Sequence, residues 1–106
     1  MSIHIQTNYQ KEENVWLVNL QGEIDIYTAN QVKESLNKIL DEQMTDLKID
    51  CFELTYIDST GLGVLIGILK RLKIEEKNIK IINPRPNISK LFHITGLDKI
   101  FLIEGE

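Results

Sequence analysis

With 106 residues, a formal net charge of −4 and 42% hydrophobic against 26% charged residues, the chain suits one soluble globular domain around a single core. The acidic balance argues against nucleic acid as a partner, and no apolar run approaches membrane-spanning length. Cys51 is the only cysteine, which excludes an internal disulfide framework.

Ile3, Ile5, Thr7 and Tyr9 alternate with polar residues and predict a half-buried first strand. Lys11 to Asn14 reads as a charged turn. The nearly continuous apolar run Val15 to Leu20 predicts a central strand covered on both faces, closed by Gly22 and paired with the first strand as a hairpin. Thr28 to Gln31 fits a capping box, with Tyr27 and Val32 at the positions of a hydrophobic staple. Val32, Leu36, Ile39 and Leu40 follow at helical spacing. Leu47, Ile49 and Cys51 predict a third strand, in which the cysteine is a small buried thiol.

A turn is expected over Asp58 to Gly63. The stripe Leu62, Leu65, Ile66, Leu69 and Leu72 then predicts a second helix, made more apolar by Val64 and Ile68. Lys70, Arg71 and Lys73 fall in its later turns and read as a solvated face that complements the helix dipole. Ile79, Ile81 and Ile82 predict a fourth strand. Pro84 and Pro86 break it and open a short helix through Ile88, Leu91 and Phe92, which Gly96 ends. Ile100 to Ile103 predicts a fifth strand.

The order β-β-α-β-α-β-α-β places the chain in the α/β class: a single domain over residues 1–106, with a mixed, mostly parallel sheet of about five strands and helices packed against it. The loops Gly22–Thr28 and Tyr56–Gly61 are expected at the same end of that sheet. The opening Met-Ser-Ile-His has no basic region followed by an apolar stretch, so no signal peptide is expected and the reducing cytosol is the expected compartment.

Asp58-Ser59-Thr60-Gly61-Leu62-Gly63 carries the most chemistry. A hydroxyl at a strand-to-helix junction faces the unpaired N–H groups of the helix's first turn, where the dipole favours negative charge. Ser59 could carry a phosphate there, and a plain N-cap serine would use the same geometry. Asp58 could orient Ser59, contact a partner or cap the helix. Thr60 is a rival acceptor one residue on. Gly61 and Gly63 read as clearance for an approaching molecule, or Gly61 as tolerance of an unusual backbone angle. In the other loop Thr28 reads chiefly as an N-cap. Asp25 has no structural task visible in the sequence and reads as an interface contact, with Tyr27 as an exposed aromatic anchor.

Gly22-Glu23-Ile24-Asp25-Ile26-Tyr27-Thr28-Ala29, followed by Tyr56-Ile57-Asp58-Ser59-Thr60-Gly61-Leu62-Gly63-Val64, closely resembles the STAS-domain anti-sigma factor antagonists of bacteria. Lys90-Leu91-Phe92 with Thr95-Gly96-Leu97 is similar to a third stretch of their pattern. The resemblance covers essentially the whole chain, and its first stretch looks more like the general-stress branch than the sporulation branch. It implies partner switching. Such proteins bind an anti-sigma factor that is also an ATP-dependent serine kinase of histidine-kinase-like fold, and so free a sigma factor. The kinase phosphorylates the serine after the aspartate, which matches Ser59, and a metal-dependent serine phosphatase resets it. The expected partner surface is Asp25, Tyr27, Thr28, Asp58, Thr60, Gly61 and Leu62. No cofactor, metal, nucleic acid or membrane partner is implied, and a monomer is expected. Members often carry a further C-terminal helix, for which this chain, ending at Glu106, has no room.

Other classes fit less well. Gly61-Leu62-Gly63 with Gly67 lacks the full glycine-rich nucleotide fingerprint and is followed by no Walker lysine. Asp58-Ser59-Thr60 is not a nucleophile elbow. Two histidines and one cysteine offer no metal-ligand spacing. A receiver phosphorylated on aspartate would need more acidic ligands than Glu23 and Asp25 supply. A STAS scaffold or sensor module of a stress-signalling assembly, with or without a bound ligand or nucleotide, shares the domain and stands as the alternative circuit.

Overall fold

The computed structural model describes residues 2–106. Its elements are β1 (Ile3–Gln10), β2 (Val15–Ile24), α1 (Ala29–Glu42), β3 (Asp46–Ile57), α2 (Ser59–Ile74), β4 (Ile79–Ile82), α3 (Pro86–Ile94), a 3-10 turn (Leu97–Lys99) and β5 (Leu102–Glu104). The five strands form one sheet in chain order, β1 antiparallel to β2 and all later neighbours parallel. The expected α/β class and mixed sheet are what the chain adopts.

Parallel strands in chain order, each joined to the next by a helix, place all three helices on one face of the sheet when the crossovers share the usual right hand. The burial pattern agrees. Trp16 and Val18 pair with Leu47 and Ile49, and Ile49 pairs with Ile81, along the helix-covered face. Leu17, Asn19, Lys48, Asp50 and Lys80 alternate with them and remain partly exposed. Apart from Val15, buried at its start, the central strand is therefore covered on one face only, contrary to the expectation from its apolar run. Leu17 is the residue that hides the period.

β2 also runs past Gly22. That glycine has φ +119° between two register shifts in the pairing with β3, and a Cβ on it would stand 2.4 Å from the Ser2 carbonyl oxygen. It marks a bulge inside the strand instead of its end.

β3 outruns β4, so its last residues lack a strand on that side. Arg85 Nε donates to the Phe52 carbonyl at 2.9 Å and Asn87 Nδ2 to the Thr55 carbonyl at 3.0 Å. Side chains from the start of α3 thus replace the missing ladder, as exposed backbone acceptors at a sheet edge require. Gly96, at φ +76°, ends α3 as expected. The chain then makes the 3-10 turn, in which Phe101 N–H donates to the Leu97 carbonyl at 2.9 Å. This turn takes Ile100 out of the predicted fifth strand, which starts at Leu102. Phe101 instead meets Phe92 edge to face, with centroids 5.4 Å apart.

Arg71 is not a solvated cation. Its guanidinium reaches Asn37 Oδ1 at 2.7 Å and Asp41 Oδ1 at 2.6 Å, tying the later turns of α2 to α1. Cys51 is buried, and burial followed by the nearby Asp50 charge pushes its thiol up to about 12, which leaves it protonated and unreactive.

Candidate functional site

β2 and β3 end side by side at Ile24 and Ile57, and Asp58 N–H donates to the Ile24 carbonyl at 3.2 Å. The two loops singled out in the sequence therefore leave the sheet at one end, joined by a hydrogen bond.

The first loop is held from inside. Asp25 is only 6% exposed, and its Oδ1 accepts from Tyr27 N–H at 2.8 Å and Thr28 N–H at 3.1 Å. Its carbonyl accepts from Ala29 N–H at 2.8 Å, the first helical residue of α1. Thr28, 4% exposed, turns its hydroxyl back, accepting from Asp25 N–H at 3.0 Å and donating to the Glu23 carbonyl at 2.8 Å.

The predicted capping box does not form. Thr28 occupies the N-cap position without a side-chain bond into the helix, and Gln31 Nε2 points instead to the Ile3 carbonyl at 3.4 Å. Asp25, for which the sequence suggested no structural task, instead closes the turn that leads into α1, its side chain taking the Tyr27 and Thr28 N–H groups and its carbonyl that of Ala29. The staple fails as well, since Tyr27 is 79% exposed while Val32 is fully buried. What the rigid loop displays is its tip, Ile26 at 66% exposure with Tyr27 beside it.

The second junction contains no turn. Asp58 is the N-cap of α2, with extended backbone, and its side chain accepts from Gly61 N–H at 3.0 Å. Its carbonyl accepts from Leu62 N–H at 2.9 Å. Ser59 is the first helical residue and not the cap. It is exposed, and its hydroxyl has no hydrogen-bond partner among the described residues. With the Gly61 and Leu62 N–H groups taken by Asp58, those of Ser59 and Thr60 are the first-turn donors left without an acceptor within the helix.

Gly61 is neither clearance for a partner nor a special backbone angle. It is buried in the helix, and a Cβ on it would lie 2.6 Å from Ile57 Cγ1 and 2.7 Å from Ile24 Cγ2. It lets α2 start flush against the ends of β2 and β3. Leu62, 6% exposed, packs into the core. Gly63 does fit the clearance reading, since nothing lies within 4 Å of a Cβ placed there. With Thr60, Gly67, Lys33 and Asn37 it lines an open groove between α1 and α2.

The outward surface is thus Ile26, Tyr27, Ser59, Thr60 and Gly63, while Asp25, Thr28, Gly61 and Leu62 hold it from beneath and Asp58 is half-buried between. Sequence reading missed Ile26 and the groove. The signal for Ile26 was the Asp-x-x-Thr spacing itself, because a reciprocal Asp25–Thr28 cap leaves the two residues between them at the tip.

Two changes separate these roles. Asp25→Ala strands the Tyr27 N–H and leaves the Thr28 N–H only the Asp25 carbonyl at 3.2 Å, and is expected to cost roughly 1–3 kcal/mol in urea denaturation, with faster amide exchange at Tyr27 above all; Asp25→Asn keeps an acceptor oxygen and should restore most of it. Gly63→Ala meets no neighbour and is expected to stabilise the chain by up to ~1 kcal/mol through helix propensity, read in the same denaturation curves.

Chemically the arrangement presents an exposed Ser59 hydroxyl with no side-chain base hydrogen-bonded to it among the described residues. The Asp58 carboxylate is turned to Gly61 N–H. Both ring nitrogens of His93 are taken by Asp98 and Glu106, and His4 lies on β1. Among the described residues no group of three or more His, Cys, Asp or Glu side chains converges to hold a metal ion.

The STAS domain family matches residues 6–105. The chain belongs to the STAS domain family. Among relatives of this STAS domain, the anti-sigma-B factor antagonist of Bacillus subtilis (strain 168) is 38% identical over 104 residues, covering 98% of this chain and 94% of that protein. An anti-sigma factor antagonist from Mycobacterium paratuberculosis superposes with a TM-score of 0.87 at 26% identity, covering 99% of this chain and 87% of that one. SpoIIAA, a Bacillus cell fate determinant solved in its phosphorylated form, shares the fold, with a TM-score of 0.72 at 22% identity over 99% of this chain and 93% of that one. Among the described residues of this STAS domain, no helix is long and apolar enough to cross a membrane.

Proposed function

We propose that the chain is an anti-sigma factor antagonist of the sigma-B kind, switched by phosphorylation of Ser59. It binds an anti-sigma factor that is also an ATP-dependent serine kinase, and the sigma factor held there is released. Phosphate on Ser59 ends the complex, and a metal-dependent serine phosphatase restores it. The chain catalyses nothing itself and works in the cytoplasm as a monomer.

The observation that carries this reading is the position of Ser59. Its hydroxyl is exposed, with no hydrogen-bond partner among the described residues, at the start of α2, and the preceding Asp58 is tied to Ile24, from which the braced loop exposing Ile26 and Tyr27 departs. Ile26, Tyr27, Thr60 and Gly63 make the contact surface in this account. Asp25, Thr28, Asp58, Gly61 and Leu62 act by holding that surface in place. Aromatic and apolar anchors on a rigid support lose little entropy on binding, which suits the centre of an interface.

The test is displacement. Unmodified chain added to a preformed complex of the sigma factor and its anti-sigma factor is expected to release the sigma factor stoichiometrically, and Tyr27→Ala to do so only at higher concentration. Failure of the unmodified chain to bind the anti-sigma factor, combined with capture of other STAS proteins, would replace this reading with that of a scaffold module.

A further inference from the structure

His93 stands in a setting that the Ser59 switch does not use. It lies on the last turn of α3, exposed, with Nδ1 3.0 Å from Asp98 Oδ2 in the 3-10 turn. Its Nε2 meets Glu106 Oε2, beyond the end of β5, and the same Glu106 oxygen accepts from the Ser89 hydroxyl on α3. A neutral imidazole has one N–H and one bare nitrogen. It can donate to one carboxylate only, and its lone pair would then face the oxygens of the other. The imidazolium donates to both. A ring held between two carboxylates is therefore built for the cation.

The chain is shaped to bring Glu106 there. Gly105 has φ +75°, and a Cβ on it would stand 2.5 Å from Asn83 Oδ1, so the turn after β5 requires glycine. The same turn is pinned by Asn83 N–H donating to the Glu104 carbonyl at 2.9 Å. β5 itself has three residues and pairs on one side only, with β4. Such a short edge strand depends on what holds its ends.

We propose that protonated His93 is a pH-dependent latch, fastening the segment after β5 to α3 and to the 3-10 turn and so holding the β5 edge of the sheet. The charged groups that bear on the ring are Asp98, from the 3-10 turn, and Glu106, from the segment beyond β5; on its own helix the neighbour is the uncharged Ser89. Hydrogen bonds to Glu106 and then Asp98 raise the His93 pKa above the ordinary histidine value, and the Ser89 and His93 bonds lower that of Glu106. For a raised histidine the stabilisation is complete below ~6.5, the unfolded value, and is lost as pH rises through the folded one. The latch is closed while His93 is protonated and Glu106 ionised: it opens as pH rises through the raised His93 value, and again in strong acid as pH falls through the lowered Glu106 value.

Two readouts on the full chain test it together: the His93 ring titration by NMR, and hydrogen-exchange protection of the β5 amides corrected for intrinsic exchange. In wild type the ring is expected to titrate above the ordinary value, with β5 protection falling severalfold across that midpoint. Glu106→Gln should lower the midpoint and leave β5 weakly protected at every pH. His93→Gln, which keeps the size of the side chain but cannot titrate, should make protection independent of pH. A midpoint unmoved by Glu106→Gln, or wild-type β5 protection that stays flat through the His93 titration, overturns the proposal.

Discussion

Gly61→Val is expected to destabilise the fold by roughly 1–3 kcal/mol, the usual cost of forcing extra carbon into a filled core, and to lower the melting midpoint by ~4–8 °C for each kcal/mol lost. The reason is specific to this glycine. Its missing side chain is what lets α2 begin against Ile57 and Ile24, whose atoms would lie 2.6 and 2.7 Å from a Cβ. Both isoleucines are buried at the last positions of their strands, so neither can swing into solvent. Helix propensity offers little in return, because a β-branched residue recovers only part of the gain that alanine would bring. The displaced helix start carries Asp58 and Ser59 with it, so loss of partner binding should accompany the lowered melting midpoint. Gly63→Ala, two residues on and facing open space, is the matched control, and equal stability of the two variants would contradict the packing assigned to Gly61.

Phosphorylation of Ser59 is expected to weaken the complex with the anti-sigma factor at least tenfold while leaving the melting transition intact. The phosphate adds about −1.5 to −2 charge at pH 7. At the first position of α2 it meets the positive end of the helix dipole and outward N–H groups, which offset repulsion from Asp58. Ser59 is exposed, so the free chain need not bury the dianion. A complex that covers this surface must desolvate it, and a buried charge without a partner is costly. Only ~1.4 kcal/mol of difference between the two states produces the tenfold effect. Calorimetric titration of both forms, with their thermal melts, checks both halves. A phosphorylated chain that binds equally well, or that no longer melts cooperatively, contradicts the account.

The order of elements and the pairing of the two loops at one end were legible in the sequence because each rests on a strong pattern. The isoleucine alternation of β4, the long apolar stripe of α2 and the proline–glycine brackets of α3 each point to one structure. Other readings failed where two residues compete for one role. Thr28 with Gln31 has the spacing of a capping box, yet Asp25 takes the Thr28 N–H that Gln31 would have received, and the Thr28 hydroxyl turns back to Asp25 N–H and the Glu23 carbonyl. Gly61 and Gly63 look alike in sequence, but one faces two buried isoleucines and the other faces solvent. Leu17 made β2 look apolar on both faces, although only tertiary packing decides which face is covered. The overhang of β3 beyond β4 and its repair by Arg85 and Asn87 involve contacts more than thirty residues apart and leave no local signal.

Intact-mass analysis after incubation with ATP and the cognate anti-sigma kinase is the sharpest test of the Ser59 switch, with wild type and Ser59→Ala side by side. One added phosphate is expected on wild type and none on Ser59→Ala. A wild-type chain that binds the kinase yet stays unmodified, or a Ser59→Ala chain that still gains a phosphate, for example on neighbouring Thr60, would contradict it.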